Sequence, residues 1–225
     1  MPNVLACLLL LALPGFAQDL AALSNKEVGK GLREALVQGV GNAVGSLAAA
    51  DGFLGNPDVK IPLPPALEKV EKTLRRFGMG RQADELVTTM NRAAESAVAE
   101  AKPILLEGIK KMTLDDAKSI LTGPEDSATR YFRKTSGDAI LKKFLPKVKA
   151  ATARVKLAED YNRFAAPAAQ FGLLDGKDAD LDQYIASKAV DGLFLMIARQ
   201  EKAIRADPIG QSSKLLQKVF GALKF

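Results

Sequence analysis

The chain has 225 residues, with 32 Lys and Arg against 26 Asp and Glu and a formal charge of +6. It holds one cysteine, no histidine and no tryptophan, and its aromatic content is 6%. Those counts exclude an internal disulfide, Ser-His-Asp and Cys-His catalysis, and nitrogen- or sulfur-ligated metal sites, and they argue against a sugar-stacking cleft.

Val4 to Leu13 is an unbroken apolar run, broken by Pro14-Gly15. Gly15-Phe16-Ala17 then offers small residues three and one before a cut. This pattern predicts a signal peptide over residues 1–17, cleaved before Gln18. The run is too short to span a bilayer, which takes about 20 residues in a helix. Met1-Pro2-Asn3 lacks the usual Lys or Arg, as a mis-assigned start would explain. Val4-Leu5-Ala6-Cys7 resembles a lipoprotein box, but cutting there would leave Leu8 to Leu13 as an apolar mature terminus. Export to the periplasm is therefore the expectation, with no transmembrane helix after the signal is removed. Lipid anchoring is the alternative if the start is mis-assigned.

From Gln18 the helix signals are dense and strand signals nearly absent. Ser24-Asn25-Lys26-Glu27 is a capping box, and Val28, Leu32, Leu36, Val40, Val44 and Leu47 carry a helix to about Ala50. Asp51 to Pro64 is rich in turn formers and reads as an ordered, extended loop. Pro65 opens a second helix striped by Leu67, Val70, Leu74 and Phe77, with Gly78 as its C-cap. A third helix runs to about Ala101, with Leu86, Met90, Ala93, Ala94 and Ala97 on one face. Pro103 starts or kinks a short helix ending near Met112. Thr113-Leu114-Asp115-Asp116 caps another, which Gly123-Pro124 closes.

Glu125 to Thr135 reads as a short helix and Asp138 to Val155 as a separate longer one, kinked at Pro146. A helix with Tyr161 and Phe164 follows, then a polar loop from Gly172 to Asp180. Asp180 caps the most apolar helix, whose run Leu193-Phe194-Leu195-Met196-Ile197 is expected at the centre of the bundle. Asp207-Pro208 stops it, and a last helix holds Leu215, Leu216, Val219 and Phe220. The reading is all-α: one irregular multi-helix bundle over residues 18–225, about eight to ten helices and no sheet. Residues 18–62 could form a semi-independent arm.

Several segments resemble a family of uncharacterised bacterial proteins. They include Gly31 to Leu36, Asp51 to Leu54 with Asn56-Pro57, and Lys60 to Pro64. Asn91-Arg92-Ala93-Ala94-Glu95, Ala101-Lys102-Pro103, Met112-Thr113 with Asp116-Ala117, and Ile120 to Gly123 are similar too. So are Ala128-Thr129 with Tyr131-Phe132, Asp191 to Phe194, and Glu201 to Arg205. The resemblance covers nearly all of the chain after the leader. It implies an all-helical, exported protein of Gram-negative type with a domain of unknown function, and it brings no activity or catalytic residues.

No catalytic motif emerges from the residues themselves. Asp175, Asp178, Asp180 and Asp182 fail the EF-hand pattern, because Gln183 stands where glycine is needed and Ala189 where glutamate is. Gly39 to Gly45 follows no strand, and Gly172 to Lys177 is one residue short of a P-loop. Gly41, Gly45 and Ala49 read instead as a small-residue face for close helix packing. Asp84, Glu85, Glu95 and Glu100 on one helix leave a carboxylate-dependent hydrolase formally open. The expectation is no enzyme, no metal and no cofactor.

Charge is concentrated between Arg130 and Lys156, where nine cations meet one acid, Asp138. Lys142, Lys149 and Lys156 repeat at seven, opposite the apolar stripe. Arg130, Arg133, Lys134, Lys142, Lys143, Lys147, Lys149 and Arg154 are the candidate contacts for anionic lipid headgroups, lipopolysaccharide or an acidic envelope protein. Nucleic acid is not expected outside the cytoplasm. The loop is the second candidate, with Asp51, Phe53, Leu54, Asn56, Lys60 and Ile61 as a contact surface or as a lid over an apolar ligand carried between helices. The leader gives a direct prediction: N-terminal sequencing of the protein recovered from a periplasmic fraction yields Gln18 as the first residue.

Overall fold

The computed structural model describes residues 25–76, 78, 80–170 and 180–207. The leader, the polar loop before Asp180, and the last expected helix lie outside that range. The described residues form eight helices and no strand. They are α1 (Asn25–Ala48), α2 (Pro65–Arg76), α3 (Gly80–Val98), α4 (Ala101–Lys111), α5 (Leu114–Thr122), α6 (Ser127–Thr152), α7 (Lys156–Gln170) and α8 (Leu181–Ala206). The fold is all-α, as the periodicities required.

Helix ends follow local chemistry. At α5 the Thr113 hydroxyl accepts from the Asp116 N–H, and the Asp116 carboxylate accepts from the Thr113 N–H and hydroxyl, a closed capping box. Those donors hold the Asp116 carboxyl below its ordinary range. At α8 the Asp180 carboxylate accepts from the Asp182 and Gln183 N–H groups. Pro103 lies in the first turn of α4, where its missing N–H breaks no helical bond.

The longest helices, α6 and α8, pack against each other, and α3 packs on both. Helix α1 lies against α8, α4, α3 and α5. Helix α1 and the loop that follows it thus pack into the bundle.

Helix α6 corrects two expectations. Ser136-Gly137 does not divide it, and one helix runs from Ser127 to Thr152. Ala128, Phe132, Ser136, Ile140, Phe144, Val148 and Thr152 are buried, every fourth residue throughout. Each four-residue step turns about 40° beyond a full revolution. The buried stripe therefore winds around the helix, which suits an element packed by α3, α4 and α8. No fixed side of α6 is opposite that stripe. Lys156 belongs to the next helix, where Glu159 and Asp160 pair with it. The seven-residue lysine repeat is consequently not one continuous face.

Two further corrections concern packing. A Cβ added at Gly41 or Gly45 would meet nothing within 4 Å, so the small-residue face of α1 packs no helix among the described residues. In α8, Leu193, Phe194 and Ile197 are buried but Leu195 is 39% exposed, so its apolar run is not enclosed on all sides.

The loop between α1 and α2 is part of the core. Phe53, Val59, Ile61 and Leu63 are buried within it. Asp51 takes a left-handed φ of 64°, and Gly52 follows where a Cβ would collide with the Ser46 and Leu47 carbonyls. Gly192 of α8 sits beneath the loop: a Cβ there would lie 2.8 Å from Phe53 Cε1 and 3.3 Å from Val59 Cβ. Gly192→Ala should lower stability by about 1–2 kcal/mol, since overpacking a buried contact outweighs the gain in helix propensity. Urea unfolding of the two proteins checks this.

Candidate functional site

The loop follows no secondary structure, so its buried N–H groups need side-chain acceptors. Helix α3 supplies them from two buried polar residues one turn apart, Asn91 and Glu95. Glu95 Oε1 accepts from the Phe53 and Leu54 N–H groups, both at 3.1 Å. Asn91 Oδ1 accepts from the Ile61 N–H at 2.8 Å, and Asn91 Nδ2 donates to the Ile61 carbonyl at 2.9 Å and the Val87 carbonyl at 2.8 Å. Arg92 balances the buried charge, pairing with Glu95 Oε2 at 2.7 Å and Asp51 at 2.8 Å.

A second buried carboxylate, Glu201 of α8, fixes the start of α6. It accepts from the Ala128 and Thr129 N–H groups, both at 3.0 Å, and from the Thr129 hydroxyl at 2.9 Å. Arg205 pairs with it at 3.0 Å and also donates to the Ile120 carbonyl. The first-turn donors of α6 are thereby occupied from within the protein.

Between these fixed segments lies an open cleft of about 570 Å³. Its walls are the loop at residues 58–62, the start of α6 and the middle of α8. Four cations line it: Lys60, Arg130, Arg133 and Lys188. Arg130 pairs with Asp126 at 2.8 Å, and Arg133 pairs with Asp191 at 2.8 Å while lying 4.7 Å from the Phe194 ring centre. Asp58 is taken by Arg199 at 2.6 Å. Among the described residues neither Lys60 nor Lys188 pairs with a carboxylate; Lys188 lies over the Tyr184 ring. Exposed Leu195 and Pro62 add an apolar ledge.

The candidate residues of the sequence are thus distributed. Arg130 and Arg133 face the cleft together with Lys60 from the loop. Lys147 turns toward α4 and pairs with Glu100 at 3.2 Å. Lys143 lines a separate groove of about 670 Å³ between α4 and α6, beside Ile104, Tyr131 and Ala139. Lys134, Lys142, Lys149 and Arg154 are exposed. Of the loop residues, Phe53 and Ile61 are core, and Leu54 gives its N–H to Glu95. The Asn56 side chain bonds the loop's own backbone, accepting from the Asp58 N–H. Asp51 is held by Arg92. Of these candidates, Lys60 is the one that brings an exposed charge to the cleft.

Of the four carboxylates singled out in this region, Asp84 is engaged by Arg75, Glu95 by the loop and Glu100, just before α4, by Lys147, while Glu85 is exposed on α3. A buried apolar cavity among α1, α5 and α8 measures about 20 Å³, room for a water and not for a carried ligand. Asp182 accepts from the Thr152 hydroxyl, linking α8 to the end of α6. No described helix is long and apolar enough to cross a membrane.

Lys188, Asp191, Leu195 and Arg199 were not legible as site residues. They lie at least 122 positions from the loop they face, counted from the Tyr184–Pro62 contact that leads into this region. The signal available was local: charged residues set among the apolar positions of α8.

The fold and cleft define an all-helical protein with a cation-lined, preformed cavity. Residues 22–221 match DUF4197, a family of proteins of unknown function, and the chain belongs to that family. No curated protein and no solved structure matches the chain.

The loop's outer tie is sensitive to pH. The Arg199 hydrogen bond and charge hold the Asp58 carboxyl below its ordinary value of 3.8. A depressed carboxylate pKa favours the fold above the ordinary value, and that contribution is lost as pH falls through the depressed one. In an NMR titration Asp58 should therefore titrate below 3.8, and Arg199→Gln should return it toward that value.

Proposed function

We propose that the protein is an exported binding protein of the cell envelope, without catalytic activity of its own, that meets an anionic partner through the outward cations of α6. The observation that carries this reading is the state of Lys142, Lys143 and Lys149. All are exposed, and none forms an ion pair among the described residues. Three other cations of α6, Arg130, Arg133 and Lys147, are instead paired with acids. Unpaired exposed lysines contribute little to stability, while each adds about 1 kcal/mol of attraction near an anionic surface.

The leader's apolar run and small-residue cut site support placement in the periplasm, where lipid headgroups and lipopolysaccharide supply negative charge. The commitment of Glu95 to the loop's backbone, with Asp84 and Glu100 held in ion pairs, supports a binding role over a hydrolytic one.

Binding to vesicles of phosphatidylglycerol and of phosphatidylcholine tests the proposal. The protein should sediment with the anionic vesicles alone and lose them as salt rises. Replacing Lys142, Lys143 and Lys149 with Gln should weaken this by about a hundredfold. Equal binding to both vesicle types, or unchanged affinity in the triple variant, would sink the idea.

A further inference from the structure

We propose that the cleft between the loop, α6 and α8 binds a small free anion carrying a short apolar tail. Its residues are not those of the vesicle-binding surface, and the argument does not depend on that surface. Charge selects the head group. Each carboxylate at the cleft is already engaged by an arginine: Asp126 by Arg130, Asp191 by Arg133 and Asp58 by Arg199. Lys60 and Lys188 are then left as the two uncompensated cations of the lining. The helix start contributes nothing to this attraction, because Glu201 occupies its N–H groups. The anion must be met by side chains.

Shape and polarity select the tail. Leu195 is one of three large apolar side chains exposed among the described residues, and it projects where Pro62 and Ala198 also line the cleft. A volume of about 570 Å³ lies in the range of small-ligand sites and far below what a folded partner needs. The walls are fixed from beneath by Glu95, Asn91 and Glu201, so binding orders no loop.

Calorimetric titration of the full chain with octyl phosphate, below its micelle concentration, tests this against inorganic phosphate. Octyl phosphate should bind at one site, about tenfold or more tighter than phosphate. Lys60→Gln with Lys188→Gln should weaken it by about tenfold or more, and Leu195→Ser should narrow the gap between the two probes. All three positions are exposed, so the variants keep the fold, which their melting curves verify. The lysine pair should leave phosphatidylglycerol vesicle binding unchanged, and the α6 triple variant should leave octyl phosphate binding unchanged. Absence of octyl phosphate binding, equal affinity for both probes, indifference to the lysine pair, or displacement by the vesicles would each overturn the proposal.

Discussion

The structure depends on a pair of buried polar side chains beneath a loop that has no ladder of its own. Asn91 and Glu95 stand one turn apart on α3 and take up the N–H groups of Phe53, Leu54 and Ile61. Left unmet in the core, each such group costs about 1–3 kcal/mol. Asn91 both accepts from and donates to Ile61, so one side chain reproduces what a neighbouring strand would offer. With the backbone satisfied, Phe53, Val59, Ile61 and Leu63 can turn their side chains into the bundle. The close approach to α8 then requires a residue without a side chain at Gly192. A carboxylate, an amide and a glycine on two different helices thus define the path of one loop.

The same device recurs at α6. Glu201 is buried, accepts backbone N–H groups from another segment, and is balanced by an arginine on its own helix, as Glu95 is by Arg92. Burying an unpaired carboxylate would be strongly unfavourable, so the arginines belong to each device as much as the acids do. The two devices hold the two sides of one cleft. That arrangement explains why cations at the cleft can be left partly unpaired: the geometry does not rely on them.

The helices were legible because their apolar spacing and caps are local. The capping box at Thr113 and the N-cap at Asp180 stand as read. The division of α6 was misread because Ser136-Gly137 looks like a breaker, whereas Ser136 is buried at the fourth-residue spacing and Gly137 sits beside Phe194. A winding stripe also defeats any test for a single helical face, and with it the idea of one opposed basic face. The clamps were not legible at all, since their partners lie 30 to 73 residues away. Yet the segments that carry the family resemblance include them: Asn91 to Glu95, Asp51 to Leu54, Asp191 to Phe194 and Glu201 to Arg205. A charged residue embedded among alanines, as Glu95 is, was the available sign that a backbone segment must arrive there.

This changes what the resemblance means physically. The shared segments that hold the loop and the start of α6 would be needed in any protein of this fold, whatever it binds, because they satisfy buried backbone. The outward lysines of α6 have no such duty, and their removal exposes no buried group. Lys60 and Lys188 share that freedom, yet they stand on walls that the clamps hold still. A mobile loop would have to lose conformational freedom on closing over a ligand; this one lost it on folding. The cleft can therefore discriminate by charge and by the Leu195 ledge alone, with its shape set beforehand by hydrogen bonds that never touch the ligand.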